Sequence, residues 1–440
     1  MEDRGREVIR QSPAPIRGRI RPPGSKSITN RALICAALAD GNSTLLGALD
    51  SEDTRVMIDS LGRLGIAIKS HDRGRTLDVH GCGGAIPTES ADLFVGNSGT
   101  TIRFLTALCA LGRGRYRLDG VERMRERPIG DLLDALHQLG ANCRGEDRAG
   151  FPPVIVEANG LRGGGSKIRG DISSQFLSGL LMATPYAEAD VEIVVDGPLV
   201  SRPYIAMTLR IMEAFGVRIV YATDLADFGV PAPQKYQGRS YIIEPDASAA
   251  SYFWAAAAIT GGEVTVEELT RDSLQGDVTF TECLARMGCR VHYSADGITV
   301  RGRAERGIDV DMNAISDTVQ TLAAVALFAN SPTTIRGVAH IRHKETDRIG
   351  DLARELRKFG ATVEELPDGL RITPLPPGEG GSRSEPREGL RAIEIETYDD
   401  HRMAMSLALA GLVRPGVTIL NPGCTAKTYP EFFNDLASLY

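Results

Sequence analysis

Apolar residues fall along this chain in two recurring patterns. The first is amphipathic: Ile129, Leu132, Leu133, Leu136 and Leu139 recur at the spacing of one helix face, which predicts a helix with one side buried. Such a helix ends on a glycine and then a strand-like stretch, seen as LGIAI (64–68), LGANC (139–143), FGVRI (215–219), MGCRV (287–291) and FGATV (359–363). The glycines stand at 65, 140, 216, 288 and 360, so the intervals are 75, 76, 72 and 72 residues. Intervals this even mark an internal repeat. Each glycine is placed to end its helix in the left-handed conformation that other residues resist.

The second pattern is apolar on every side. TTIRFLTALCALG, SSQFLSGLLMATP, ASYFWAAAAITGG, TVQTLAAVALFAN and HRMAMSLALAGLV each read as a helix with no polar face, and such a helix must be buried all round. Strands follow these helices, as in VEIVV (191–195), EVTVEEL (263–269) and GVTIL (416–420). Six copies of a helix, strand, helix, strand unit fill the chain, the last ending at its second helix. The link PAPQKYQGRS (231–240) carries two prolines and no apolar periodicity, so the chain is expected to divide there. We expect three copies in residues 25–244 and three in 245–440, with residues 1–24 joining the second group. PLPPGEGGSRSEPRE (374–388) falls inside the fifth copy and reads as a surface insertion.

Composition narrows the function. A chain of 440 residues exceeds what one hydrophobic core usually serves. No apolar run reaches the roughly 18 residues of a membrane span, and the charged start MEDRGREVIRQSP is unlike a signal peptide. The seven cysteines (35, 82, 109, 143, 283, 289 and 424) form no C-x-x-C pair, which suggests reduced, packed thiols in the cytoplasm. A net charge of −7 argues against a nucleic-acid surface. Any cationic cluster must then be local and aimed at something small.

Such clusters stand where the buried helices begin, at SKSITNR (25–31), GNSGTTIR (96–103), DISSQF (171–176), DASAAS (246–251), SDTVQT (316–321) and DDHRMA (399–404). Serine, threonine and aspartate there are also ordinary N-caps. Capping leaves Lys26, Arg31, Arg103 and Arg402 unexplained, because a cation in the first turns opposes the helix dipole. The first cluster is not a phosphate loop, since Ser25 separates Gly24 from Lys26. Cations at helix starts, together with free N–H groups, make an anion site. Loops supply Arg125 and Arg127 in MRERPIG, Arg342, Lys344 and Arg348 in RHKETDR, and Lys427 in CTAKTYP; a solvated charged face is the plain alternative for each. The pattern suggests one or two substrates with several negative charges.

PGSKSITNRALICAALADG, GNSGTTIRFL, RMRERPIG, DISSQFLSGLL, SRPYI, KETDRIGDLARELRKFGA, DDHRMAMSLALAG and NPGCTAKTYPEFF, in this order, resemble the enolpyruvyl transferases. Within that family they match the branch acting on shikimate 3-phosphate rather than on UDP-N-acetylglucosamine. The resemblance runs from about residue 15 to the C-terminus. It implies an α/β fold of two domains, each with three βαβαββ repeats, parallel buried helices and sheets outside (an inside-out barrel), with the site between domains. It implies phosphoenolpyruvate and shikimate 3-phosphate as substrates, no metal or organic cofactor, no nucleic-acid or membrane partner, and a monomer.

The resemblance also carries residue roles. Lys26, Ser27, Arg31, Ser173, Ser174, Gln175, Ser201, Asp317 and Lys344 match the shikimate 3-phosphate ligands. Gly99, Arg127, Arg348, Arg402 and Lys427 match the phosphoenolpyruvate site, which Lys26 and Gln175 also reach. His340 stands where the family often has asparagine and is left out of the site. The implied reaction adds a hydroxyl across an enol double bond and then expels phosphate. Asp317 is the expected base, kept ionised by nearby cations and made more basic by partial burial. Glu345 is the expected acid, with Lys26 as its rival. A non-catalytic anion-binding module would leave Asp317 and Glu345 unexplained, and an RNA-end-processing enzyme would want a broad basic surface.

Overall fold

The computed structural model describes residues 5–374 and 392–440, a mixed α/β chain. Apart from Pro374, the insertion expected at 374–388 lies outside the described residues. The chain forms two compact units: Gly24–Glu244, here the central unit, and Met1–Pro23 with Pro245–Tyr440, the terminal unit.

Among the described residues six small sheets share one plan, three to a unit, five with four strands and one with three. In Ser90–Phe94, Arg113–Asp119, Val154–Asn159 and Asn142–Gly145, taken in spatial order, the first two strands are parallel and the others antiparallel. A parallel pair cannot be joined by a tight turn, and the apolar helix makes the crossover. Some sheets borrow a strand from far along the chain. Ser240–Ile242 lies parallel to Asn42–Leu46 in the central unit. In the terminal unit Arg17–Ile20 joins Glu263–Glu267, and Arg6–Val8 joins Val417–Leu420. Arg6–Val8 lies antiparallel to Val417–Leu420, where the other sheets have a strand of the same repeat.

The central unit buries helices α1 (Lys26–Leu38), α2 (Gly99–Cys109) and α3 (Ser174–Ala183); the terminal unit buries α4 (Ala247–Thr260), α5 (Val319–Ala326) and α6 (His401–Gly411). Of all the residues in these six helices, Lys26, Ser27 and Gln175 alone are not buried. Contacts between early residues show that the helices of each unit run the same way. Gln175 Nε2 donates to Thr100 Oγ1 at 3.1 Å, and Arg31 Nη2 to Ser178 Oγ at 3.2 Å. The hydroxyls of Ser251, Thr321 and Ser406 join α4, α5 and α6 at 3.1 and 3.3 Å. The amphipathic helices cover the other side and end at Gly65, Gly140, Gly216, Gly288 and Gly360, with φ between 86° and 117°. All seven cysteines are free thiols, five of them buried.

Candidate active site

Serines cap the three helix mouths of the central unit. Ser25 Oγ accepts from Ile28 N, Ser98 Oγ from Thr101 N and Ser173 Oγ from Gln175 N, at 3.3–3.4 Å. These caps bring no charge to the positive helix ends. Lys26, at the start of α1, lies 3.5 Å from Asp53 Oδ2. Spacing does not reveal this partner, because an acid in a first helical turn reads as ordinary dipole compensation.

Gly99 opens α2 beneath two guanidinium groups. A Cβ there would stand 2.3 Å from Arg127 Nη2 and 2.5 Å from Arg103 Nη1, so no side chain fits without moving a cation. Arg127 donates from Nη1 to the carbonyl and side-chain oxygens of Asn97. Arg103 donates to the carbonyls of Gly99 and Pro128, both at 2.9 Å, and so braces the mouth.

Arg31 is enclosed. Its Nε donates to Thr208 Oγ1 at 2.7 Å and its Nη1 to the Ser27 carbonyl at 3.0 Å, between the rings of Phe104 and Tyr204. Burial lowers its pKa to about 10, which leaves it cationic at neutral pH. Arg31 thus holds Ser27 in place. Ser174 is buried at the start of α3. Ser201 is buried at the N-cap of Arg202–Ala214 with φ 53°, a left-handed backbone that is uncommon for serine.

The terminal unit is built differently. Asp246 caps α4 and Asp400 caps α6, their carboxylates accepting Ala249 N and Arg402 N. Asp317 sits on a 3-10 turn, Asn313–Thr318, that leads into α5. Arg402 Nη2 donates to Asp317 Oδ2 at 2.7 Å, and Arg348 Nη1 lies 3.5 Å from Asp317 Oδ1. The fully buried Asp400 takes Arg348 Nε at 2.6 Å and Nη2 at 3.1 Å. Glu345 bridges Arg348 at 2.8 Å and Lys427 at 3.0 Å. Three cations and three carboxylates therefore alternate in one buried cluster. Burial opposes the charge of Arg348, but Asp400 and Glu345 outweigh it and raise its pKa.

His340 is buried beside this cluster. Its pKa is lowered to about 4 by burial and then by Lys344, with Asp317 acting the other way, so it is neutral. Lys344 is half-buried. Glu355, also fully buried, accepts Tyr398 Oη and Glu396 N and so steadies the loop before Asp400. Two of the loop arginines are surface ion pairs: Arg125 with Asp119 at 2.6 Å, and Arg342 with Asp347 and Glu365 at 2.8 and 2.9 Å. The solvated-face alternative holds for both.

The arrangement has clear relatives. The EPSP synthase (3-phosphoshikimate 1-carboxyvinyltransferase) family model matches residues 10–436. A 3-phosphoshikimate 1-carboxyvinyltransferase of Nostoc punctiforme is 51% identical over 420 residues, 95% of each chain. One from Shewanella sp. (strain ANA-3) is 47% identical over 426 residues, covering 96% of this chain and 97% of the relative. A solved EPSP synthase from Acinetobacter baumannii superposes with a TM-score of 0.79 at 25% identity, over 99% of this chain and 98% of that one. With its repeats, its buried parallel helices and its matching sequence over nearly the whole length, this chain belongs to the EPSP synthase (3-phosphoshikimate 1-carboxyvinyltransferase) family.

Proposed function

We infer that this protein is a transferase moving the enolpyruvyl group of phosphoenolpyruvate to the 5-hydroxyl of shikimate 3-phosphate, the enolpyruvyl transfer of the shikimate pathway. The observation that carries the reading is the terminal-unit cluster. One carboxylate, Asp317, stands against two arginines, while a second, Glu345, shares Arg348 and Lys427. Arg348, Arg402 and Lys427 would take the carboxylate and phosphate of phosphoenolpyruvate together with Arg127, beneath which Gly99 leaves room. Guanidinium groups suit these oxygens because they bind two at once. Lys26, Ser27, Ser173, Ser174, Gln175, Ser201 and Lys344 would hold shikimate 3-phosphate, with Arg31 fixing Ser27. Lys26 and Gln175 would reach both substrates, and the site would lie between the two units.

Asp317 takes the proton of the 5-hydroxyl as its oxygen bonds to the central carbon of the enol, and the methylene carbon gains a proton. The resulting tetrahedral adduct loses phosphate and a methyl proton, which restores the double bond. Anions that draw Arg348 and Lys427 away would strip Glu345 of its counter-ions, and a stripped carboxylate binds a proton more readily. That supports Glu345 as the acid; Lys26, at a helix mouth in the other unit, is the alternative. The cations then stabilise phosphate as it departs. We further propose a cytoplasmic monomer; among the described residues no helix is long and apolar enough to cross a membrane. Phosphate release from phosphoenolpyruvate tests the reading: it should need shikimate 3-phosphate, and release without it, or none with it, would refute the assignment.

A further inference from the structure

Thr208 lies fully buried on the helix Arg202–Ala214, and the reaction above does not use it. Its Oγ1 accepts from Arg31 Nε at 2.7 Å, the shortest hydrogen bond of that guanidinium. The single proton of Thr208 goes to the Tyr204 carbonyl at 2.8 Å or to Ser178 Oγ at 2.9 Å. Ser178, also fully buried, accepts from Arg31 Nη2. A helical threonine that donates to the carbonyl four residues back is ordinary. That use occupies only its proton. The lone pairs of Thr208 are turned to a buried cation whose other acceptors are neutral as well.

The knot ties three helices together. Arg31 stands four residues beyond Ser27 on α1, Ser178 four beyond Ser174 on α3, and Thr208 seven beyond Ser201. Those spacings place each member beneath a serine on the same helix face. We propose that Thr208 is a positioning residue for shikimate 3-phosphate: its hydroxyl aims Arg31 at the Ser27 carbonyl and fixes the three serines relative to one another. The proposal rests on the reading of Ser27, Ser174 and Ser201 as ligands of that substrate. A guanidinium is a rigid fork, so an acceptor on Nε sets the direction of both Nη groups. Without it the buried Nε–H is unsatisfied, and Arg31 must turn to find another partner. Among the described residues, Arg31, Thr208 and Ser178 bond to none of Arg127, Arg348, Arg402 and Lys427, so the phosphoenolpyruvate side stays outside the knot.

Thr208→Val keeps the shape of the side chain and removes the hydroxyl, while Thr208→Ser keeps the hydroxyl. The test measures kcat and both KM values of the intact enzyme and titrates each variant with shikimate 3-phosphate. Thr208→Val should raise Kd and KM for shikimate 3-phosphate roughly tenfold, the lower end for a hydrogen bond to a charged group. Its kcat and its KM for phosphoenolpyruvate should change by less than about threefold. Thr208→Ser should bind like the parent, and Ser178→Ala should weaken the same ligand by a smaller factor. Normal binding in Thr208→Val, or equal loss of both substrates, overturns the proposal. So does a Thr208→Ser as weak as Thr208→Val, which would leave packing as the cause. If Thr208→Val does not fold, Ser178→Ala decides: weaker shikimate 3-phosphate binding supports the proposal, and unchanged binding overturns it. Failure of the underlying reading shows in the parent enzyme instead, as no binding of shikimate 3-phosphate and no phosphate release with it.

Discussion

The two units share a sheet plan and parallel buried helices, yet they treat their helix mouths in opposite ways. Serines 25, 98 and 173 cap the central unit, so its caps bring no charge to the positive helix ends, where Lys26 lies by Asp53 and Arg127 donates to Asn97. In the terminal unit, aspartates 246 and 400 cap two helices and Asp317 stands on the turn before the third. There the chain supplies its own anions, and Arg348, Arg402 and Lys427 are already paired. Substrate anions would exchange partners with cations that the carboxylates hold in position. Pre-paired arginines are oriented in advance, and orientation is what catalysis by fixed charge requires.

Four sets of changes would break or sharpen this contrast. Asp317→Asn should retain both substrates and slow turnover roughly 10²–10⁴-fold, the usual share of a general base. A loss below about tenfold with strongly weakened binding would make Asp317 a ligand only. Next in size, Arg348→Ala leaves the buried Asp400 and Glu345 short of a counter-ion. It should destabilise the protein by about 3–5 kcal/mol in denaturant unfolding, an effect that a cluster worth nothing to stability would not show.

The third concerns pH. Unfolded His340 binds a proton below its ordinary 6.5 while the folded group resists until about 4, so its contribution falls as pH drops through that window. Asp277 does the reverse: folded, it keeps its proton up to about 7 rather than 3.8, so its contribution falls as pH rises. Each amounts to roughly 3–4 kcal/mol, and the two largely cancel. His340→Asn should therefore become less stable as pH rises from 4 to 7, and Asp277→Asn more stable; equal slopes in unfolding midpoints would refute the pairing. Smallest are the ligand effects. Arg402→Ala and Lys427→Ala should weaken phosphoenolpyruvate binding by roughly 10- to 100-fold and shikimate 3-phosphate less, while Arg31→Ala does the opposite through Ser27. Titration of each variant with each ligand checks this, and equal losses would void the division of the two sites.

Much of the fold was legible because it rests on local rules. The glycine at each helix end and the all-apolar helices announce themselves in one dimension, and so do the polar clusters at the mouths. The pairings did not, because spacing places a residue on a helix face without aiming a long side chain. Arg103 looked like an anion ligand and proves to brace carbonyls; Arg31 looked exposed to ligand and is wrapped by Thr208, Ser178 and two rings. Asp400 read as a cap and is also the main partner of Arg348. Asp277 gave no signal at all, since one aspartate in a loop looks solvated until its neighbours are known.

Small-angle scattering of the intact chain tests most directly the proposal that serine-capped and aspartate-capped mouths serve one site. Shikimate 3-phosphate has anionic groups enough to engage both kinds of mouth, so at saturation it should draw the units together, as in hinge-type ligand capture. We expect a smaller radius of gyration with ligand than without. An unchanged radius at a concentration where binding is complete would contradict a site assembled from both units.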